Sequence, residues 1–185
     1  MRSVLCVVLC SVLSTSNLFA EPAMKPHEGG ERIRPQDTRS TQLLRDGIAR
    51  SDTFRALVER LEASNVFVYV SVSPLMKSGL AGQLTWMTQA GPYRYLRATL
   101  SAELGTDQQI ATLGHELQHA VEIADDDMVV CEKSMVALYR RIGQPSRAAN
   151  SGWETLAAQE TGYQVRRELE ESSGVAAQLF NFGQL

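Results

Sequence analysis

The sequence has few groups that could cross-link the chain or bind a nucleic acid. Only three of its 185 residues are cysteines, and two of them, Cys6 and Cys10, lie in an apolar segment at the N-terminus. Without that segment Cys131 would remain alone, so an internal disulfide is not expected. Lys and Arg number 18 against 21 Asp and Glu. Because there is no basic excess to neutralise phosphates, nucleic acid is not expected as a partner.

The sequence also lacks an apolar run that could span a bilayer. The run at residues 4–13 has ten residues, whereas a spanning helix needs about 20. Arg2 precedes this run, and Ala20 follows it at a plausible cleavage point. This order is typical of a signal peptide that is cleaved near Ala20. We therefore expect a secreted or periplasmic protein with no stable membrane span after cleavage.

The next segment, residues 21–40, has little apolar surface to bury. It contains three prolines and a glycine pair, and Met24 and Ile33 are its only large apolar side chains. Such a segment cannot offset the entropy that is lost on ordering, which predicts a flexible leader. The whole chain is 44% hydrophobic and 21% charged, as in ordinary globular proteins. We therefore predict one folded domain at residues 41–185.

Local patterns within residues 41–185 predict an α+β domain. Apolar residues at three- and four-residue steps between 43 and 61 predict one or two amphipathic helices, and Ser51 is a candidate helix N-cap. β-Branched, aromatic and alternating patterns predict three strands, at residues 65–73, 83–89 and 93–100. Helical patterns follow at about 106–124, 128–142 and 153–172, with a loop at 143–152. We expect a short, mainly antiparallel sheet packed on the first of these helices.

One motif in the sequence carries recognisable chemistry. Residues 114–119 read Gly-His-Glu-Leu-Gln-His, which is an H-E-x-x-H motif formed by His115, Glu116 and His119. A spacing of four residues puts both imidazoles on one face of a helix, where they can bind the same zinc ion. Glu116 points to the neighbouring flank and can act as a general base toward a zinc-bound water. The alternative is a surface helix in which the H-E-x-x-H pattern occurs by chance and its two histidines are exposed.

A catalytic zinc site needs a third protein ligand, and one candidate is Asp125. Asp125 takes the place of the last histidine in the extended form H-E-x-x-H-x-x-G-x-x-H, but Glu122 replaces the glycine of that form. Without the glycine turn the helix is expected to continue past Glu122. Asp125 would then lie about 240° around the helix from His119, which disfavours it as a ligand.

Two later glutamates are the other candidates for the third ligand. Glu154 follows His119 by 35 residues, enough for one helix and one loop before a second helix returns antiparallel. Ala157 and Ala158 would let the two helix backbones approach closely. Glu160 is the rival of Glu154 on the same predicted helix.

With these residues the chain resembles the gluzincin branch of the zincin metallopeptidases, over about residues 93–165. In that branch a glutamate from a downstream helix completes H-E-x-x-H, which implies zinc bound by His115, His119 and Glu154, with Glu116 as the general base. Many gluzincins carry an Asp four residues after that glutamate to orient a zinc histidine. This chain has Ala158 there, so another group must do so.

The same resemblance implies where substrate would bind. A peptide would lie antiparallel to an edge strand, for which residues 83–89 and 93–100 are candidates. The resemblance also implies a further hydrogen-bond donor to the oxyanion that forms when water attacks the substrate carbonyl. The candidates are Tyr139, Tyr163 and Arg166.

The expected function is an exported zinc-dependent metallopeptidase that acts on peptide or protein substrates. One alternative is a non-catalytic binding module that uses zinc structurally. The presence of Glu116 argues against it, because a closed structural site needs no base. The other alternative is a zinc hydrolase that acts on a non-peptide amide, such as a bond in a cell wall.

Overall fold

The structure is a computed structural model that describes residues 31–77, 79–146 and 152–182, with the backbone alone at 175–182. The predicted signal peptide and residues 21–30 of the predicted leader lie outside the described residues. Helices and strands occur in separate runs along the chain, as expected of an α+β domain, which confirms the predicted class. The described helices are α1 (Thr38–Arg50), α2 (Asp52–Glu62), α3 (Thr106–Ala124), α4 (Glu132–Ile142) and α5 (Leu156–Phe182). The described strands are β1 (Ile33–Pro35), β2 (Val66–Ser73), β3 (Gly82–Ala90), β4 (Tyr93–Ser101), β5 (Gln144–Pro145) and β6 (Trp153–Glu154).

The main sheet is mixed, with the strand order β1-β2-β4-β3. Within this sheet, strand β2 is parallel to both β1 and β4, whereas β3 and β4 pair antiparallel. The prediction of a mainly antiparallel sheet is therefore wrong. After β2 the chain crosses to the far edge, forms β3, and turns at Gly91 with a φ of 57°. Strand β4 then fills the place between β3 and β2, so it runs in the direction of β2.

This order decides which predicted strand lies at an edge. Residues 93–100 belong to β4, which has a partner on each side, so they are not an edge strand. Residues 83–89 belong to β3, which lies at one end of the four-stranded order. Of the two candidates for a peptide-binding edge, β3 is the one with a free side among the described residues.

The folded part begins before residue 41. Ile33 is 1% exposed and pairs with Val68 of β2. The Asp37 carboxylate caps α1 by accepting from the backbone amide of Ser40 at 2.7 Å, and it also accepts from the amide of Val72 at 3.1 Å. The prediction of a flexible leader is wrong for residues 31–40, because these long-range contacts order a segment that has little apolar surface of its own.

Several other predicted boundaries shift in the structure. Ser51 caps α2 as predicted, accepting from the amide of Phe54 at 3.0 Å, so the first helical stretch is two helices. The helix predicted from residue 128 begins at Glu132, because Cys131 is extended and its amide donates to Ser134 Oγ at 3.0 Å. The helix predicted from residue 153 begins at Leu156, after the short strand β6.

Helix α3 lies at the centre of the core. Strands β2 and β4 supply fully buried side chains on one side of the sheet, and α1, α2 and α3 contact the sheet. These side chains are Val66, Val68, Val70, Leu96, Ala98 and Leu100. Leu113, Leu117 and Val121 of α3 are likewise fully buried. The H-E-x-x-H helix is therefore a core helix, which removes the alternative of a surface helix. None of the helices among the described residues is long and apolar enough to cross a membrane.

Candidate metal centre

Two histidines of α3 and a glutamate of β6 converge in the structure. The candidate ligand atoms of His115, His119 and Glu154 all lie within 4.8 Å of one another. The two imidazole rings are 4.8 Å apart between centroids and nearly perpendicular, at 85°. His119 is buried, whereas His115 and Glu154 are partly exposed. We call these three residues the His-His-Glu cluster.

The two rival ligands lie elsewhere. Asp125 ends α3 and forms an ion pair with Arg60 at 2.5 Å. Glu160 is exposed on α5 and does not belong to the cluster. Among the residues that the structure describes, Glu154 is thus the carboxylate that joins the two histidines.

Close packing of α5 on α3 brings the two halves of the cluster together. Gly114 packs against Val165, so that a Cβ added at Gly114 would lie 3.0 Å from Val165 Cγ2. A Cβ added at Gly162 would lie 3.4 Å from His115 Cβ. Further along, Arg50 donates both to the Asp107 carboxylate of α3 and to the Leu169 carbonyl oxygen of α5. As the residue number increases along α5, the neighbouring residue number on α3 decreases. The two helices are therefore antiparallel, as expected.

Glu154 reaches the cluster from a short hairpin and not from a helix. It pairs with Gln144 of β5, and its side chain accepts a hydrogen bond from Ser146. A Cβ added at Gly143 would lie 2.7 Å from the Glu154 carbonyl oxygen, so only glycine fits there without a shift. The placement of Glu154 on the last helix was wrong because Thr155 ends the strand and caps α5, with its hydroxyl accepting from the Ala158 amide at 3.1 Å.

The ring of His119 is held by residues that the sequence analysis did not assign to the site. Its Nδ1 lies 2.9 Å from Glu122 Oε2, and Glu122 Oε1 accepts from the Thr155 hydroxyl at 2.6 Å. Engagement of Nδ1 leaves Nε2 as the nitrogen available to a metal ion. The signal for Glu122 was its spacing of three from His119, which makes the two side chains neighbours on a helix.

The ring of His115 is held from α5. It forms a hydrogen bond with the backbone of Ala158, and its Nε2 lies 3.1 Å from Glu154 Oε2. Ala158 occupies the position at which many gluzincins have an aspartate. A backbone group of that residue therefore contacts the histidine where a side chain would do so in those proteins.

The electrostatics of the cluster fit a cation. Burial lowers the pKa of His115, but the hydrogen bond to Glu154 and the nearby carboxylates outweigh it and raise that pKa above its ordinary value. The same hydrogen bond lowers the pKa of Glu154, against an opposing effect of burial. The imidazole and the carboxylate are joined by the Nε2 proton of this hydrogen bond, at 3.1 Å. A divalent cation would replace that proton with the same two groups as ligands.

Glu116 lies beside the cluster and is almost completely buried, with 5% exposure. Burial raises the pKa of its carboxyl group, while the two histidines and a hydrogen bond from the Leu84 amide act in the opposite direction. A Cβ added at Gly82 would lie 2.7 Å from Glu116 Oε1. The start of β3 therefore contacts this carboxylate directly and limits its movement.

The cluster opens into a cavity of about 500 Å³. His115, Glu116 and Glu154 line one part of it, and Tyr163 and Arg166 of α5 line another. Two of the three candidate oxyanion donors therefore border the cavity.

The third candidate, Tyr139, has another role. It is buried, its ring packs against that of His119, and its hydroxyl donates to the His119 carbonyl oxygen at 3.0 Å. Tyr139 therefore supports the backbone of α3 and is not available to a bound substrate.

Comparisons with known proteins give no relative for this chain. No family model matches it, and neither the curated proteins nor the solved structures give a significant match. The resemblance to gluzincins therefore depends on the residues of the site alone.

Proposed function

We propose that this protein is an exported zinc-dependent peptidase. His115, His119 and Glu154 hold the metal, and Glu116 moves the proton during peptide hydrolysis. The observation that carries the proposal is the convergence of the His-His-Glu cluster beside a buried glutamate at the wall of an open cavity. Export rests on the signal-peptide pattern that ends near Ala20.

The chemistry of the donors favours zinc. Two imidazoles and one carboxylate are a ligand set that zinc uses in catalytic sites, where three protein ligands leave one position open. A structural zinc site usually has four protein ligands, and the cluster offers three among the described residues. A zinc ion held there would supply a Lewis acid that polarises a substrate carbonyl and lowers the pKa of water to about 7.

Glu116 suits the role of proton carrier because of where it lies. It is adjacent to the cluster without belonging to it, and it borders the cavity. In peptide hydrolysis its carboxylate would accept a proton from the attacking water and pass it to the nitrogen of the leaving amine. The Leu84 amide and Gly82 hold the carboxylate in place, so this transfer needs no rearrangement of the chain.

Strand β3 offers a way to bind an extended peptide. Residues 79–82 line the cavity, and the chain continues from there into β3. The free edge of β3 can pair with the backbone of a peptide, which would pass beside Glu116. Backbone pairing of this kind favours a peptide or an unfolded protein segment as substrate.

The test is cleavage of a random peptide library by the zinc-loaded protein, read by mass spectrometry. We expect Glu116→Gln to keep one zinc per chain and to lose at least ~10²-fold in turnover, because it removes the base and keeps the size of the side chain. Glu160→Gln makes the same change at an exposed position of α5 and should keep both properties.

Three results would contradict the proposed function. If Glu116→Gln turns over peptides as fast as the parent does, Glu116 is not the proton carrier. A zinc-loaded parent that cleaves neither peptides nor cell-wall amides would indicate the non-catalytic binding module. If that parent hydrolyses cell-wall amides but no peptides, the protein is the other kind of zinc hydrolase.

A further inference from the structure

Each of two helices contributes one stripe of residues to the cavity. The members of each stripe follow one another at helical spacing, and they are Gln108, Ala111, Thr112 and His115 on α3, and Gln159, Gly162, Tyr163 and Arg166 on α5. The cavity therefore extends from the His-His-Glu cluster along the line where α3 and α5 meet. Apart from the proposed metal ligands and Glu116, its lining has one charged side chain, Arg166, among the described residues.

Arg166 is a cation of this cavity without an acidic partner among the described residues. It is exposed, and it makes no ion pair or hydrogen bond with any other residue that the structure describes. The next residue, Arg167, differs, since it contacts Gln164 at 2.8 Å and Glu171 at 3.8 Å on the surface of α5. A guanidinium presents a planar fork of donors that matches a carboxylate, so Arg166 is suited to bind one.

The position of Arg166 along α5 indicates how many peptide residues separate that carboxylate from the cleaved bond. Gly162 contacts His115, and Arg166 is four residues further along α5, a rise of about 6 Å. Side chains on a helix lean toward its N-terminus, which here is the direction of Gly162 and the cluster. An extended peptide advances about 3.3–3.6 Å per residue. For a peptide that runs along the line where α3 and α5 meet, a carboxylate held by Arg166 would therefore lie about one or two residues from the scissile bond.

We propose that Arg166 determines specificity by binding a carboxylate of the substrate one or two residues from the cleaved bond. This inference rests on the proposed peptidase function and names the substrate class, which is a peptide that carries a carboxylate close to the cleaved bond. The carboxylate is either the free C-terminus or the side chain of an Asp or Glu. Both have the same chemistry, and peptides can be prepared that carry only one of them.

The test uses one random peptide library in three forms. The first has free C-termini, the second has amidated C-termini, and the third is amidated and contains no Asp or Glu. The wild-type protein should cleave the first or the second form about 10- to 100-fold faster than the third, which is the range for hydrogen bonds between charged groups. Faster cleavage of the first form alone identifies the C-terminus as the source of the carboxylate. Equally fast cleavage of the first and second forms identifies the side chains of Asp or Glu.

Arg166→Ala should abolish this preference, and Arg166→Lys should restore part of it, because lysine keeps the charge without the fork. Arg167→Ala is the matched control at the adjacent position, and it should keep the full preference. Equal cleavage of all three forms by the wild type would overturn the proposal. So would an equal loss on all three forms in Arg166→Ala, which is the result expected of an oxyanion donor.

A binding measurement separates failure of this inference from failure of the peptidase function. The probe is an N-acetylated tetra-alanine with a free carboxylate, compared with its amide and with an amide that carries one Asp, and it is titrated into Glu116→Gln by calorimetry. If a carboxylate form binds more tightly and the advantage disappears in Glu116→Gln/Arg166→Ala, the Arg166 site stands even when the wild type cleaves no peptide. If peptides are cleaved and no carboxylate form is preferred in either assay, the peptidase stands and the Arg166 site is wrong.

Discussion

At the scale of single residues, the orientation of His119 depends on a carboxylate that is not itself a proposed ligand. Glu122 accepts from Thr155 with one oxygen and contacts His119 Nδ1 with the other, and its side chain is only 10% exposed. A carboxylate that is this little exposed and has both oxygens engaged has little freedom to rotate. The imidazole that it holds is therefore oriented before a metal ion arrives, which lowers the entropy lost on binding.

Replacement of Glu122 should weaken metal binding without removing a ligand. We expect Glu122→Ala to lower zinc affinity about 10- to 100-fold, the usual effect of losing a group that orients a metal-bound histidine. Competition titration with a chromogenic chelator measures this change. Glu103→Ala, at an exposed glutamate outside the cluster, is the control and should bind as the parent does. Parental affinity in Glu122→Ala would show that the His119 ring needs no such support.

The residues of the site differ in how far the sequence could predict them. His115, Glu116 and His119 were predicted together because the spacing of H-E-x-x-H already fixes their geometry on a helix. Glu122 was considered only as the residue that replaces a glycine. The hydrogen bond between Glu122 and Thr155 joins residues 33 apart in the chain, so no local sequence pattern could reveal this hydrogen bond.

At the scale of secondary-structure elements, the β5–β6 hairpin controls where Glu154 lies. Gly143 ends α4 by donating its amide to the Tyr139 carbonyl at 2.8 Å, and it packs against the backbone of Glu154. A methyl group at this position would contact both carbonyl oxygens, at 2.7 Å for Glu154 and 3.0 Å for Tyr139. The close approach requires a glycine because these neighbours are backbone atoms, which cannot rotate away.

We expect Gly143→Ala to move β6 away from α3 and so to weaken zinc binding. The overpacking should also lower the free energy of unfolding by about 1–3 kcal/mol. Zinc titration and urea unfolding of the same samples measure the two effects. Gly174→Ala is the matched control on α5, since its added methyl would meet nothing within 4 Å and should raise stability by up to about 1 kcal/mol. Unchanged zinc affinity in Gly143→Ala would contradict this account of Glu154.

Helix α2 begins at a carboxylate from another element. Glu168 of α5 accepts from the Ser51 hydroxyl at 2.6 Å and from the amide and hydroxyl of Thr53 at 3.0 and 2.7 Å. Burial alone would raise the pKa of Glu168, but these hydrogen bonds and one from Gln164 lower it to about 2 from 4.5. A negative charge at a helix N-terminus is also favourable with respect to the helix dipole.

The lowered pKa of Glu168 predicts a dependence of stability on pH. A group whose pKa falls on folding stabilises the native state above its unfolded pKa of 4.5, and this contribution is lost as the pH falls toward about 2. Glu168→Gln should lower the free energy of unfolding by about 1–2 kcal/mol at pH 7, a value reduced for partial exposure. The difference from the parent should shrink below pH 4.5.

Urea unfolding from pH 7 down to pH 3 measures this difference. Glu170→Gln, two residues along α5 at an exposed position, is the control and should follow the parent at every pH. A Glu168→Gln protein with the same loss of stability at pH 7 and pH 3 would show that the ionised carboxylate is not what stabilises α2.

The elements themselves were more predictable than their arrangement. The strands β2, β3 and β4 and the helix α3 follow local patterns, such as the alternation of buried and partly exposed side chains from Tyr95 to Leu100. The position of β4 between β2 and β3 depends on which edges pair after the chain has crossed over. Strands β5 and β6 have two residues each, too few to show a period.

At the scale of the whole molecule, the proposed metal centre joins parts of the fold that are far apart in the chain. Its ligands come from α3 in the core and from β6, which immediately precedes α5. Cys131 is the free cysteine among the described residues and can form no internal bridge with them. A metal ion that binds only the native state would therefore stabilise it further, in addition to the hydrogen bonds and packing between residues far apart in the chain.

Zinc should thus raise the melting temperature of the protein. At a free zinc concentration 100 times the dissociation constant the native state gains about 2.7 kcal/mol. For a domain of this size the shift is roughly 5–10 °C. Calorimetry of chelated and zinc-loaded samples measures it, and His119→Ala should show almost no zinc-dependent shift. An unchanged melting temperature in samples of verified metal content would leave zinc without an effect on the folded state.

The most direct test of the metal centre is a zinc titration that compares the three candidate carboxylates. Glu154→Ala removes a proposed ligand, whereas Asp125→Ala and Glu160→Ala remove carboxylates that lie outside the His-His-Glu cluster. The structure predicts one zinc per chain in the parent and at least ~10-fold weaker binding in Glu154→Ala, with parental binding in the other two. Parental affinity in Glu154→Ala, together with a loss in either of the others, would contradict the site as described.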